Sequence, residues 1–173
     1  MTAHDLLDRA MHAASGWQTR EDYARFLELQ HAARAPLEDW LEAHAPKTLH
    51  PPRQTQLIAQ DLAALGRPIP APGPLFTLGR TATGQVLGVA WVLAGSALGN
   101  RGIAKQVRRI SGGTWPMTFL ADAAMLGFWQ ALRARIEQRV DPCEADCATT
   151  AARAVFAHFL AVAEQAQAVQ AAP

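Results

Sequence analysis

The stretch Gly88-Val89-Ala90-Trp91-Val92-Leu93-Ala94-Gly95-Ser96-Ala97-Leu98-Gly99 decides the reading of this chain. It lies within a longer run, Ala82 to Arg109, that reads as one helix and carries glycines at 84, 88, 95, 99 and 102. Each glycine in a helix interior costs about 1 kcal/mol relative to alanine. A helix that accepts several of them needs something in return, because glycine permits a bend and lets another body approach the backbone. Two readings are open: close packing of a neighbouring helix, or a helix lying over a flat ligand. A phosphate-binding Gly-x-Gly-x-x-Gly loop is excluded, since the spacing is wrong and no strand precedes it. The apolar stretch Val86 to Gly99 contains Gly88, Gly95 and Ser96 and falls short of the roughly 20 residues of a bilayer span, so no membrane association is expected.

Helical periodicity continues on either side. A first helix, roughly Thr2 to Ala14, has Leu6, Leu7, Ala10 and Met11 on one stripe and stops near Gly16. Thr19 and Asp22 stand at capping spacing and open a second helix, whose stripe is Tyr23, Phe26, Leu27, Ala33, Leu37, Trp40 and Leu41. Pro36 falls inside that pattern and is expected to kink or divide it. Ala45 to Pro52 reads as a connection, Gln54 to Leu65 as a third helix stopped by Gly66, and Pro68 to Pro74 as a loop. Beyond the glycine-bearing helix, Gly112-Gly113 and Pro116 break the chain. A fifth helix, about Met117 to Arg139, turns Phe119, Leu120, Ala124, Phe128, Leu132 and Ile136 inward, and a sixth, about Ala145 to Ala168, presents Val155, Phe156, Phe159, Leu160 and Ala163. Strand signals are scarce, so the expectation is an all-α bundle forming one domain over residues 1–173.

Composition narrows the function. The chain has 173 residues, enough for one core, and half of them are apolar. Its 16 basic and 15 acidic side chains leave a net charge of +1, without the basic excess of a nucleic-acid binder. Cys143 and Cys147 are too few and too local for a disulfide framework, and they lack partner ligands for zinc. Acids appear early and no apolar signal region accompanies them, which points to the cytoplasm. Glu28 and His31 form a Glu-x-x-His pair, but a di-iron bundle needs two such pairs, and no second one occurs. No Gly-x-Ser-x-Gly elbow anchors hydrolase chemistry.

The order of the segments carries a further signal. Thr2-Ala3-His4-Asp5-Leu6-Leu7-Asp8 is followed by Tyr23-Ala24-Arg25-Phe26-Leu27, by His31 with Pro36-Leu37-Glu38, and by Asp61-Leu62-Ala63-Ala64-Leu65-Gly66. The glycine segment comes next, and a last helix carries Ala152, Phe156 and Phe159. In this order the chain resembles the bacterial heme oxygenases, which cleave heme to biliverdin, over nearly its whole length. The resemblance implies the heme oxygenase-like helical fold, with heme as both substrate and cofactor, O2, and an external electron donor such as a reductase or ferredoxin. It makes His4 the axial ligand of the heme iron, with one residue fewer between Thr2 and His4 than is usual in the family.

The resemblance also makes the glycine-bearing helix the distal one. Gly95, Ser96 and Gly99 become the catalytic positions, and Asn100 and Trp91 join His4, Gly95 and Gly99 as heme-binding positions. Ser96 could anchor a water through its hydroxyl. Asn100 stands where the family has a small residue, Ala94 where bacterial relatives usually carry glutamate, and Trp91 where they often have tyrosine. Lys105, Arg108, Arg109 and Arg133 are candidates for the heme propionates. A redox partner protein, a bilin-accepting protein and a monomeric state complete the expectation. Ala94 and Trp91 motivate the alternative, a non-catalytic heme- or bilin-binding member of the same fold acting as carrier, sensor or regulatory interaction protein. A third reading is a helical interaction module with no tetrapyrrole.

Overall fold

The computed structural model of the chain describes residues 16–79, 82–137 and 141–171. The expected first helix and His4 lie outside the described residues. The rest is all helical, with no strand among the described residues: α1 (Arg20–His44), a 3-10 turn (Lys47–Leu49), α2 (Thr55–Ala64), α3 (Thr83–Ser111), α4 (Ala123–Ile136) and α5 (Pro142–Ala171). Helix α3 packs along α5 and is flanked by α1 and α4. Its 29 residues are long and apolar enough to cross a membrane by length and composition, contrary to the shorter span read from the sequence. Half of its most apolar window is buried inside the bundle, which accounts for that composition.

The start of α1 agrees with the sequence. Thr19 Oγ1 accepts from the Asp22 amide at 3.1 Å, and the Asp22 carboxylate accepts from the Thr19 amide at 3.0 Å. These bonds, that of the Thr19 side chain first, hold the Asp22 carboxyl below its ordinary pKa. Pro36 does not divide α1, which runs unbroken through it. A proline removes the N–H that would bond the carbonyl four residues back. Here that carbonyl belongs to Ala32, and it accepts instead from the Gly73 amide at 2.8 Å. The next carbonyl, that of Ala33, accepts from the His158 ring Nε2 at 2.9 Å. The proline-rich loop and α5 thus supply the donors, and the helix continues.

Carboxylates from one element fix the ends of others. Glu38, buried on α1, accepts from the Gln54 and Thr55 amides at 2.8 and 3.3 Å and from the Thr55 hydroxyl at 2.6 Å, capping α2 from outside. Gln54 Nε2 donates to Asp122 at 2.8 Å, and Asp122 caps α4 by accepting from the Ala124 and Met125 amides. Asp61, fully buried, accepts from the Thr118 and Phe119 amides at 2.9 Å each. Helix α4 therefore begins at Ala123 and not near Met117, because Asp61 holds residues 118 and 119 in a separate turn and Asp122 caps the helix after it. Helix α5 begins at Pro142, three residues before the expected start. Asp141 accepts from the Cys143 amide there, and proline is well suited to a first helical position.

Candidate functional site

The five glycines of α3 succeed one another at intervals of 4, 7, 4 and 3 residues. At about 100° per residue they fall in one stripe roughly 60° wide. That stripe has two different surroundings. A Cβ built at Gly84 would stand 2.4 Å from the Glu144 carbonyl oxygen, and one at Gly88 only 2.2 Å from that of Ala148. Those two glycines let α5 lie directly on the α3 backbone. At Gly95 the nearest atom is the Trp129 indole Nε1 at 3.6 Å, and at Gly99 and Gly102 nothing among the described residues comes within 4 Å. The packing reading holds for the N-terminal half, which is closed against α5, whereas among the described residues the edge at Gly99 and Gly102 meets no neighbour. Trp17, near the first described residue, reaches this half through its Nε1, which donates to Gln106 at 2.9 Å.

The described sequence-derived site residues do not all line the cleft next to Trp91. Gly95 and Gly99 lie on the open half of the stripe. Trp91 is half-buried on the same edge, 5.8 Å from the Trp129 ring, and Trp129 in turn carries the Arg133 guanidinium at 5.6 Å. Trp91 also lines a cleft of about 450 Å³ between α3, the end of α4 and α5, with Leu87, Ile136, Ala148 and Ala152. Ser96 and Asn100 do not line it. Asn100 is buried, and the Ser96 hydroxyl is turned to the side of the stripe, where it donates to the Leu93 carbonyl at 2.7 Å. Ala94 is fully buried in the core. Lys105, Arg108 and Arg109 are exposed on the C-terminal half of α3, whereas Arg133 is paired with Glu137 at 2.6 Å.

The partner of Ser96 is a residue that sequence reasoning passed over. Arg34 on α1 is 2% exposed, and its Nη2 donates to Ser96 Oγ at 2.7 Å. Its Nε donates to Gln30 at 3.0 Å, and its guanidinium lies 5.1 Å from the Phe119 ring centre and 5.9 Å from that of Phe159. Burial lowers its pKa to about 10, against the pull of the Glu38 carboxylate, so it remains a cation at neutral pH. Its Nη1 is buried without a hydrogen-bond partner among the described residues. The signal was present in the sequence, since Gln30, Arg34 and Glu38 recur every four residues along the apolar face of α1. Glu28, the carboxylate of the Glu-x-x-His pair, is held by Arg67 at 2.7 Å. Among the described residues no three His, Cys, Asp or Glu side chains converge on a metal site.

Comparison with known proteins finds a relative in Xanthomonas campestris pv. campestris, a protein named heme oxygenase. It is 31% identical over 147 residues, an alignment that covers 80% of this chain and 87% of the relative. No protein-family model matches the chain.

Proposed function

The chain belongs to the heme oxygenase family, and from that premise we propose that it cleaves heme to biliverdin, iron and CO with O2 and electrons from an external donor. The observation that carries the proposal is the open half of the glycine stripe on α3. A helix that gives up side chains at Gly99 and Gly102, where no described residue comes within 4 Å, and at Gly95 meets only the Trp129 indole, has a surface that suits the close approach of a planar ring. Packing against α5 explains Gly84 and Gly88, and no described residue gives Gly99 and Gly102 the same explanation.

In this reading the His4 imidazole would hold the heme iron. Gly95 and Gly99 set how closely the α3 backbone approaches, and the Trp91–Trp129 pair borders the ring at the closed end. Lys105 and Arg109, exposed on the same half of α3, hold the propionates; Arg133 is already engaged by Glu137. The heme supplies the redox chemistry, and the protein supplies orientation and a path for protons. Ser96 is the side chain placed to order water next to Gly95. With its proton given to Leu93 and one lone pair taken by Arg34, its oxygen retains a single acceptor position. The protein would act as a cytoplasmic monomer beside a reductase or ferredoxin, handing its product to a bilin-accepting protein.

Hemin titration of the purified protein, followed by reduction in air with catalase present, tests the proposal. A Soret band that forms and then decays into broad bilin absorption is the expected result. A Soret band that forms and survives reduction would favour the second reading, a non-catalytic heme or bilin binder, which the nearly saturated Ser96 hydroxyl and the buried Ala94 support. An unchanged hemin spectrum would overturn both. His4→Ala is expected to remove the axial bond while leaving the helical content intact.

A further inference from the structure

A buried cation is expensive to keep, and one with an unused N–H is more so. Replacing a buried ion pair with apolar residues is often neutral or stabilising, so Arg34 is not explained by stability alone. Its environment makes the point sharper. Two phenylalanine rings flank the guanidinium, Gln30 fixes its Nε, and the direct contact to α3 is a single hydroxyl, that of Ser96. The charged and titratable groups around it are Glu38 on its own helix and His158 on α5, bonded to the Ala33 carbonyl beside it. The turn before α4 brings Phe119 and no charge. Buried N–H groups are nearly always met by protein or by an ordered water. For Nη1 no acceptor is present among the described residues, and a buried water would meet it.

We infer that Arg34 is a positioning residue for the heme reaction: it fixes the Ser96 hydroxyl and, through Nη1, holds a buried water, so that its positive charge is carried to the substrate face of α3. This deepens the heme oxygenase reading and rests on it. Ser96 lies about 60° round the helix from Gly99, so a group ordered by Ser96 stands beside the stripe, next to the part that meets no described neighbour. A cation behind that group favours the deprotonated form of whatever acid faces it.

The experiment is a pH titration of the hemin complex monitored by its visible spectrum, with thermal unfolding and hemin affinity measured alongside. Arg34→Met matches volume without charge. It is expected to remain folded with reduced stability, since Gln30, Ser96 and Glu38 lose a buried partner, and to bind hemin within about threefold of the parent Kd. The acid-to-alkaline midpoint of its complex should rise by about one pH unit, because the stabilising cation is gone. Ser96→Ala should raise the midpoint by less, and the double variant should match Arg34→Met alone, since both act through one link. A midpoint unmoved by Arg34→Met, or single shifts that simply add, would overturn the inference. Should Arg34→Met fail to fold, Arg34→Lys, which keeps the charge, reads the same coupling in a cycle with Ser96→Ala, and additive shifts there would equally overturn it. Failure of the heme reading itself looks different, because the parent protein would then give no Soret band to titrate.

Discussion

A methyl group added at Gly88 and one added at Gly99 have opposite consequences, although both positions lie on one stripe of one helix. At Gly88 the new carbon meets the Ala148 carbonyl at 2.2 Å, a backbone atom that cannot rotate away. Gly88→Ala is therefore expected to lower stability by about 1–3 kcal/mol as α3 and α5 are forced apart. At Gly99 the carbon meets nothing among the described residues, and alanine is the better helix former. Gly99→Ala is expected to raise the stability of the hemin-free protein by up to about 1 kcal/mol, while Gly99→Leu places a branched side chain over the open edge and cuts hemin affinity. Urea unfolding of the three variants, with hemin titration of the last, checks both halves of the statement. A stability loss in Gly99→Ala would mean that the open half is a packing surface after all.

At the scale of elements, the junction between α1 and the proline-rich loop is the place where local rules and the fold disagree. Pro36 ought to end a helix, and it does not, because Gly73 lends its N–H to the stranded Ala32 carbonyl. A Cβ at Gly73 would stand 2.9 Å from both that carbonyl oxygen and Val162 Cγ2. Gly73→Ala should lose about 1–3 kcal/mol, and less of it in a Pro36→Ala background, where the helix regains its own donor; a thermal-unfolding double-mutant cycle measures the difference.

The same junction shows what a sequence can disclose. The order of the described helices, the Thr19 cap and the stops at Gly66 and Gly112 were legible, because periodicity and capping are local. The starts at Ala123 and Pro142 and the passage through Pro36 were not, because they depend on Asp61, Asp141 and Gly73, residues whose capping bonds the periodicity does not announce. The glycine segment stood out from composition, which left packing and ligand approach open, and became the candidate site only through the family resemblance. Its division into a packed and an open half depends on where α5 runs, and the burial of Arg34 depends on Phe119 and Phe159 closing over it from other elements.

For the molecule as a whole, His158 ties the described helices to pH. Its Nε2–H donates to α1 at Ala33, and its ring lies between Phe76 and Phe159. Burial pushes its pKa below the ordinary 6.5, more than the bond to the Ala33 carbonyl raises it. His31 is lowered in the same way by burial, against the pull of Glu38. On acidification the unfolded chain takes up these protons first. The stability they contribute is complete above 6.5 and lost as pH falls through the lower folded values. The urea midpoint should therefore fall between about pH 7 and 5, and His158→Gln, whose amide can still reach Ala33, should flatten that fall. An unaltered slope in the variant would place the acid sensitivity elsewhere.

The glycine edge of α3 also has a mechanical meaning. Gly84 and Gly88 let α5 bear on bare backbone, and among the described residues nothing meets that edge from Gly99 onward. There the helix is held from its other faces, by fully buried Val107 and by the Gln106 bond to Trp17. One end of the glycine edge is thus clamped along its own face and the other through the faces beside it, so the two ends answer a sideways load through different contacts.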